Sequence, residues 1–309
     1  MRLSRVPPQS YFAASAVFHY LGPSFAVLLF ARVDVLGVAW LRIASAALVF
    51  SVWRRPWRTF ARLDREGRRL VISLGAVFAA MNACFYVAID HLPLATVAAI
   101  EFVGPIALAV AGTRTARNAG AVVAAAAGVY LLTHVHFGGE TIGLAFAFAN
   151  CVLFTLYIVL AHRVARQRIG GIDGLAVAML VAFVFVSPVG LAGAAHAFRD
   201  PIALAAGIGV GVSSSVIPYV FDQLAMARLA RATYALFVSL LPAVATVIGV
   251  VVLAQLPSAL ELCGIVLVMA GVALHEAPGE LQRAPAPRLC FGHRDWRSHE
   301  LELRRHRSS

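Results

Sequence analysis

Apolar stretches of about 20 residues recur along almost the whole chain, separated by short polar segments. At 1.5 Å per residue, each is long enough as a helix to cross a hydrocarbon core of about 30 Å. The stretches fall at 10–30, 34–52, 70–89, 94–112, 118–134, 141–161, 172–195, 201–224, 232–254 and 257–275. The pattern predicts an all-α, polytopic membrane protein with ten transmembrane helices. The first stretch is too long for the apolar region of a signal peptide and no small-x-small site precedes further membrane sequence, so it is expected to stay in the mature protein.

Composition agrees. Of the 309 residues 61% are hydrophobic and 13% charged, with a mean hydropathy of +0.82, whereas soluble domains are about 45–50% apolar and about 25% charged. A net charge of +11 raises the question of nucleic acid, and the placement of the charge answers it. All 26 basic residues are Arg, and 23 of them fall on the side of the N-terminus once the ten spans are threaded; Arg32 and Arg199 lie opposite and Arg42 lies within a span. That asymmetry is the positive-inside rule with both termini cytoplasmic. The Arg-rich loop from Trp53 to Leu70 is thus an anchor at the lipid headgroups, and no nucleic-acid partner is expected. The tail after His275 is polar and Pro-punctuated, so disorder or a loose surface helix is expected there. Cys84, Cys151, Cys263 and Cys290 show no metal spacing; neither a disulfide, a metal nor a cofactor is expected.

The chain also repeats itself. A shift of 137 residues places Ala88, Leu92, Ala95, Thr96, Ala98 and Pro105 on Ala225, Leu229, Ala232, Thr233, Ala235 and Pro242, and Gly37 and Ala39 on Gly174 and Ala176. Each half, 10–138 and 139–275, holds five spans, flanked by a tail at 1–9 and another at 276–309. An odd number of spans makes the second copy enter the membrane from the opposite side. The expectation is therefore two inverted five-helix repeats, a recurring design of secondary transporters in which rocking about a central site gives alternating access.

Ionisable residues inside spans cost at least about 2.5–3.5 kcal/mol on insertion scales and usually face a cavity or a partner. Glu101 lies about 10 Å, and Arg42 about 12 Å, below the outer end of their spans. At matching depth they are expected to face one central cavity and to pair with each other when it holds no substrate; the alternative is a pair that only fixes helix packing. Pro105 removes the hydrogen bond to the carbonyl of Glu101, leaving two acceptors together, which suits an ammonium group. Pro242 is expected to free the carbonyl of Val238 in the same way, and Pro218 that of Ser214; the prolines could equally serve only to bend helices. Asn82 and Tyr86 share a helix face and are candidates to line the cavity or to bond across helices. In the eighth span Gly211, Ser215, Tyr219 and Asp222 follow one face, with Asp222 a substrate contact, a gate or a partner of Arg228. His19 is a candidate for cavity polarity. Glu261 is expected to snorkel at the outer surface, and His134 and His136 to be solvated.

The stretch MNACFYVAIDHLPLATVAAIEFVGPIALAVAG, from Met81 to Gly112, resembles the third and fourth spans of the threonine/homoserine exporters of the drug/metabolite transporter superfamily, whose members carry two EamA-type repeats. The resemblance rests on Met81-Asn82, Phe85-Tyr86, Pro93-Leu94 and Glu101-Phe102-x-Gly104-Pro105. Leu41-Arg42, Ile217-Pro218-Tyr219 with Asp222, and Ser239 with Pro242 extend it over residues 10–275. Two positions depart from it: the usual Gly-Glu before the tenth span is Ala254-Gln255, and an acidic residue common before the ninth-span proline is Leu241. The resemblance implies a bacterial inner-membrane exporter of small metabolites such as threonine or homoserine, as monomer or homodimer. A lone carboxyl that holds either a proton or the substrate amine would couple export to inward proton flow. Export of a drug or another metabolite is the alternative. A membrane enzyme is disfavoured by the absence of HExxH and GxSxG, and ATP hydrolysis by the absence of GxxxxGK[ST].

Overall fold

The computed structural model describes residues 7–112, 115–136, 140–165, 171–226 and 238–274, and among them there is no strand. The helices are α1 Pro8–Leu29, α2 Val35–Arg54, α3 Pro56–Arg62, α4 Arg65–His91, α5 Leu94–Gly112 and α6 Ala116–His136. They are followed by α7 Thr141–Ala165, α8 Gly171–Ala194, α9 Pro201–Gly211, α10 Ile217–Met226, α11 Leu241–Leu253 and α12 Ala259–Leu274. The all-helical expectation holds. Against ten expected spans, seven stretches among the described residues are long and apolar enough to cross a membrane, and the apolar helices Leu94–Leu108, Leu241–Leu253 and Ala259–Leu274 are shorter. Arg228 and the tail after 274 lie outside the described residues.

Short polar caps set the helix ends. Asp34 accepts from the N–H groups of Leu36 at 3.0 Å and Gly37 at 3.3 Å and starts α2, Asp64 accepts from Gly67 N–H at 2.8 Å and starts α4, and Asp200, followed by Pro201, starts α9. Arg55 and Ala254 end α2 and α11 in the left-handed region, at φ 50° and 54°. Glu261 does not snorkel. It is buried and closes a capping box, its carboxylate accepting from Ser258 N–H at 2.7 Å while Ser258 Oγ accepts from Glu261 N–H at 3.3 Å. The anchor loop is partly helical, as α3, and the expected single span at 201–224 is divided between α9 and α10 by a π-helical turn at Val212–Val216.

The helices are apolar on outer as well as inner faces. Val52, Val123, Val152, Val184, Ile202, Val251 and Val266 all point outward and exposed, as suits contact with acyl chains and not water. Helix packing then depends on close approach. A Cβ added at Gly128 would stand 2.6 Å from the carbonyl oxygen of Gly264, and one at Gly264 would stand 2.9 Å from that of Gly128, which sets α6 directly on α12. Gly37 and Gly193 bring α2 against α8 in the same way. Beyond these contacts α4 packs on α7 and α8, α1 on α9 and α10, α5 on α7, and α11 on α1 and α5.

Candidate functional site

Between these helices lies a small cavity lined by His19 and Pro23 of α1, Arg42 of α2, Met81, Asn82 and Phe85 of α4, and Glu101 of α5, facing Asn150 and Phe154 of α7 and Tyr219 of α10. Its accessible volume is about 30 Å³, room for one or two water molecules and far less than an amino acid fills. Five residues expected from sequence are brought together here: His19, Arg42, Asn82, Glu101 and Tyr219.

Arg42 and Glu101 share the cavity, both only 6% exposed, but the expected pair between them is not formed: among the described residues no ion pair joins them. The reason lies in the interrupted eighth span. Through the π turn the N–H of Ile217 reaches back to the carbonyl of Val212, and Pro218 has no N–H for the carbonyl of Ser214. Arg42 occupies that freed acceptor, donating through Nη2 to the oxygen of Ser214 at 3.3 Å and through Nε to Ser215 Oγ at 3.0 Å. The expected freeing of the Ser214 carbonyl is thus realised, with the guanidinium as its partner. A π turn beside buried polar groups is a frequent mark of a functional site.

Tyr86 stands behind the lining, with the Arg42 guanidinium 5.5 Å from its ring centroid. Asn82 donates Nδ2 to the carbonyl of Phe78 at 2.9 Å, which holds it against its own helix. Asp222 lies off the cavity, beside Ser15. Pro105 sits inside α5 as expected but does not line the cavity. The reading of Pro242 needs correction: it occupies the first turn of α11, following Leu240 as cap, a place where a missing N–H leaves no helical bond unmade. It therefore starts a helix and does not kink one at Val238.

Asn150 was not expected. It is 1% exposed and lines the cavity, where its amide lies beside the Glu101 carboxyl with Nδ2 as the donor side, and neither Oδ1 nor Nδ2 completes a well-formed hydrogen bond. The signal was the one that marks Glu101: a single amide within the apolar run LAFAFANCVLFTLY. Pro23, which removes the N–H partner of the His19 carbonyl in α1, is a second lining residue that sequence reasoning passed over. Three buried hydrogen-bonding groups stand in the site, Tyr86 Oη and Ser214 Oγ beside each other and Arg42, and Asn150 beside Glu101, and none completes a well-formed hydrogen bond. Such groups are costly unless something pairs with them.

Comparison with known proteins adds the identity of the scaffold. Residues 141–275 match the model of the EamA-like transporter family. Over 263 residues the chain is 30% identical to the threonine/homoserine exporter RhtA of Salmonella typhimurium (strain LT2), covering 82% of this chain and 86% of that protein. Against RhtA of Escherichia coli (strain K12) it is 28% identical over 256 residues, covering 81% and 84%. A solved crystal structure superposes on 90% of this chain and 100% of its own with a TM-score of 0.55 and 18% identity, a likeness of fold alone. These relatives are transporters and not enzymes, and the chain belongs to the EamA-like transporter family.

Proposed function

We propose that the protein exports a small zwitterionic amino acid of the threonine/homoserine kind across the bacterial inner membrane, by alternating access coupled to protons. The relatives' activity supports the substrate class. The observation that carries the reading is a buried cation and a buried anion lining one cavity without pairing. A substrate with an ammonium group for Glu101 and a carboxylate for Arg42 satisfies both; a neutral solute satisfies neither. Glu101 holds the ammonium or a proton but not both, and that exclusion links the two fluxes. The cavity has to widen to admit an amino acid, so the present conformation corresponds to a contracted state of the cycle.

Ten spans in two inverted repeats, 10–138 and 139–275 between tails at 1–9 and 276–309, complete the proposal. Its support is the packing pattern. Exchanging the halves carries α2 on α8 and α6 on α12 onto themselves, and turns α4 on α7 into α1 on the α9–α10 span and α5 on α7 into α11 on α1. The family match at 141–275 begins within two residues of the second unit. The Arg distribution supports cytoplasmic termini.

Counterflow of labelled threonine in proteoliposomes tests the mechanism. Losing a charge-assisted hydrogen bond costs about 1.5–3 kcal/mol, so Glu101→Gln is expected to lower kcat/KM roughly 10- to 100-fold and to remove its dependence on a proton gradient. Transport by Glu101→Gln at the parent rate, still driven by protons, would refute the coupling.

A further inference from the structure

The charged groups of the cavity account for the two ends common to every amino acid. Arg42 of α2 bonds Ser214 and Ser215 in the turn between α9 and α10 and lines the cavity together with Glu101 of α5. Asn150 is left over. The other lining amide, Asn82, is tied to the carbonyl of Phe78, and the hydroxyls of Tyr86 and Ser214 lie beside each other at Arg42 and do not line the cavity. Asn150 has its Nδ2 beside the Glu101 carboxyl, and its buried Oδ1 is left with no donor. An aliphatic side chain placed against it would leave Oδ1 unpaired, whereas a hydroxyl donates to it.

We infer that Asn150 binds the side-chain hydroxyl of the substrate and sets a preference for hydroxylated over plain aliphatic small amino acids. This rests on the amino-acid export proposed above. The other lining residue of α7, Phe154 one turn along, is apolar, so on this helix the preference depends on the one amide. A site built to bond a hydroxyl rejects the analogue lacking it far more strongly than an apolar pocket distinguishes one methylene.

The test uses the full chain in proteoliposomes with three amino acids: threonine, homoserine, and 2-aminobutyrate, which is the deoxy analogue of both. The parent is expected to favour threonine and homoserine over 2-aminobutyrate by at least about tenfold in kcat/KM. Asn150→Leu, of similar size, is expected to bring that ratio to within about threefold of one, the loss falling mainly on the hydroxylated pair. Asn150→Ser, which keeps a shorter donor and acceptor, is expected to give an intermediate ratio and serves where the Leu variant does not insert. A parent with no preference, or either variant with the parent's ratio, overturns the inference and leaves amino-acid export standing. A folded parent that moves none of the three overturns the export reading, and this assignment with it.

Discussion

The two halves of the chain contribute different things to one cavity. Residues 10–138 supply its ionisable groups, His19, Arg42 and Glu101, while 139–275 supply Asn150 and Tyr219 together with Ser214 and Ser215, which hold Arg42. Under the proposed shift of 137, Asn82 meets Tyr219, and both line the site. Arg42, however, meets Met179, a core residue, and Glu101 meets Val238, which packs against the apolar cluster around Ala99 and Phe102. On the proposed repeat, the frame is duplicated and the charge is not. A zwitterion carries one ammonium and one carboxylate, and a second buried pair would face the insertion cost of Glu101 and Arg42 again with no ligand group to meet it.

The sharpest way to break that contrast is to move the carboxylate. In the Glu101→Gln background, Val238→Glu places a carboxyl at the equivalent position of the other half. We expect no recovery of threonine counterflow from the roughly 10- to 100-fold loss, because Val238 faces the core and not the cavity, and we expect less protein to reach the membrane. Recovered transport would mean that the halves are chemically interchangeable.

Where helices of the two halves meet backbone to backbone, substitutions should be felt equally from either side. Gly128 on α6 and Gly264 on α12 each approach the other's carbonyl. Gly128→Ala and Gly264→Ala are each expected to cost about 1–3 kcal/mol through overpacking, read as a fall in detergent thermal unfolding temperature, and the double variant to cost less than the sum because one separation of the helices relieves both. Additive losses would show that the two glycines do not share a contact. A smaller effect of opposite sign is expected at Ala254, which holds φ 54° at the end of α11, where the family resemblance places Gly. Ala254→Gly relieves left-handed strain but loosens the unfolded chain, for a net gain of about 0.5–1 kcal/mol. Gln255 beside it accepts from Leu94 N–H at 3.0 Å, so the departure from the family pattern ties the end of α11 to the start of α5.

Hydropathy alone carried most of the fold, because residues that face lipid and residues that face the core are both apolar and their runs are long. The same fact hid the orientation of each helix: with no polar face to read, depth placed Arg42 and Glu101 at one level but could not say which neighbour Arg42 turns to. That depended on the π turn at Val212–Val216, a backbone irregularity for which only Pro218 hinted. Asn150 was legible by the rule that singled out Glu101 and was missed because an amide stands out less than a charge. The Ser258–Glu261 capping box was written in the sequence as S-x-x-E; proximity to the surface made snorkelling the more obvious reading. Pro242 misled because the repeat equated it with Pro105, whereas one begins a helix and the other lies twelve residues into one.

The smallest expected effect concerns the charges that join the halves at their ends. Arg54 bonds Asp173 at 2.7 Å and Arg32 bonds Asp200 at 3.2 Å, each a cation from the first half on a carboxylate from the second. The Arg32 pair is the more exposed, and Asp200 also caps α9, accepting from Ile202 N–H at 2.9 Å and Ala203 N–H at 3.2 Å. The Ala203 N–H above all, with that of Ile202 and the Arg32 guanidinium, holds the Asp200 carboxyl below its ordinary range. A carboxyl lowered on folding stabilises the fold above its unfolded pKa, about 3.9, and that contribution disappears as pH falls through the folded value. Asp200→Asn keeps the cap, since Asn serves as well as Asp there, and removes only the charge. The parent is therefore expected to unfold at slightly higher temperature than Asp200→Asn at pH 7, with the gap narrowing in high salt and closing once the pH drops well below about 4. A gap that survives in acid would place the contribution of Asp200 in the geometry of its cap, leaving the link between the halves to the shorter Arg54–Asp173 pair.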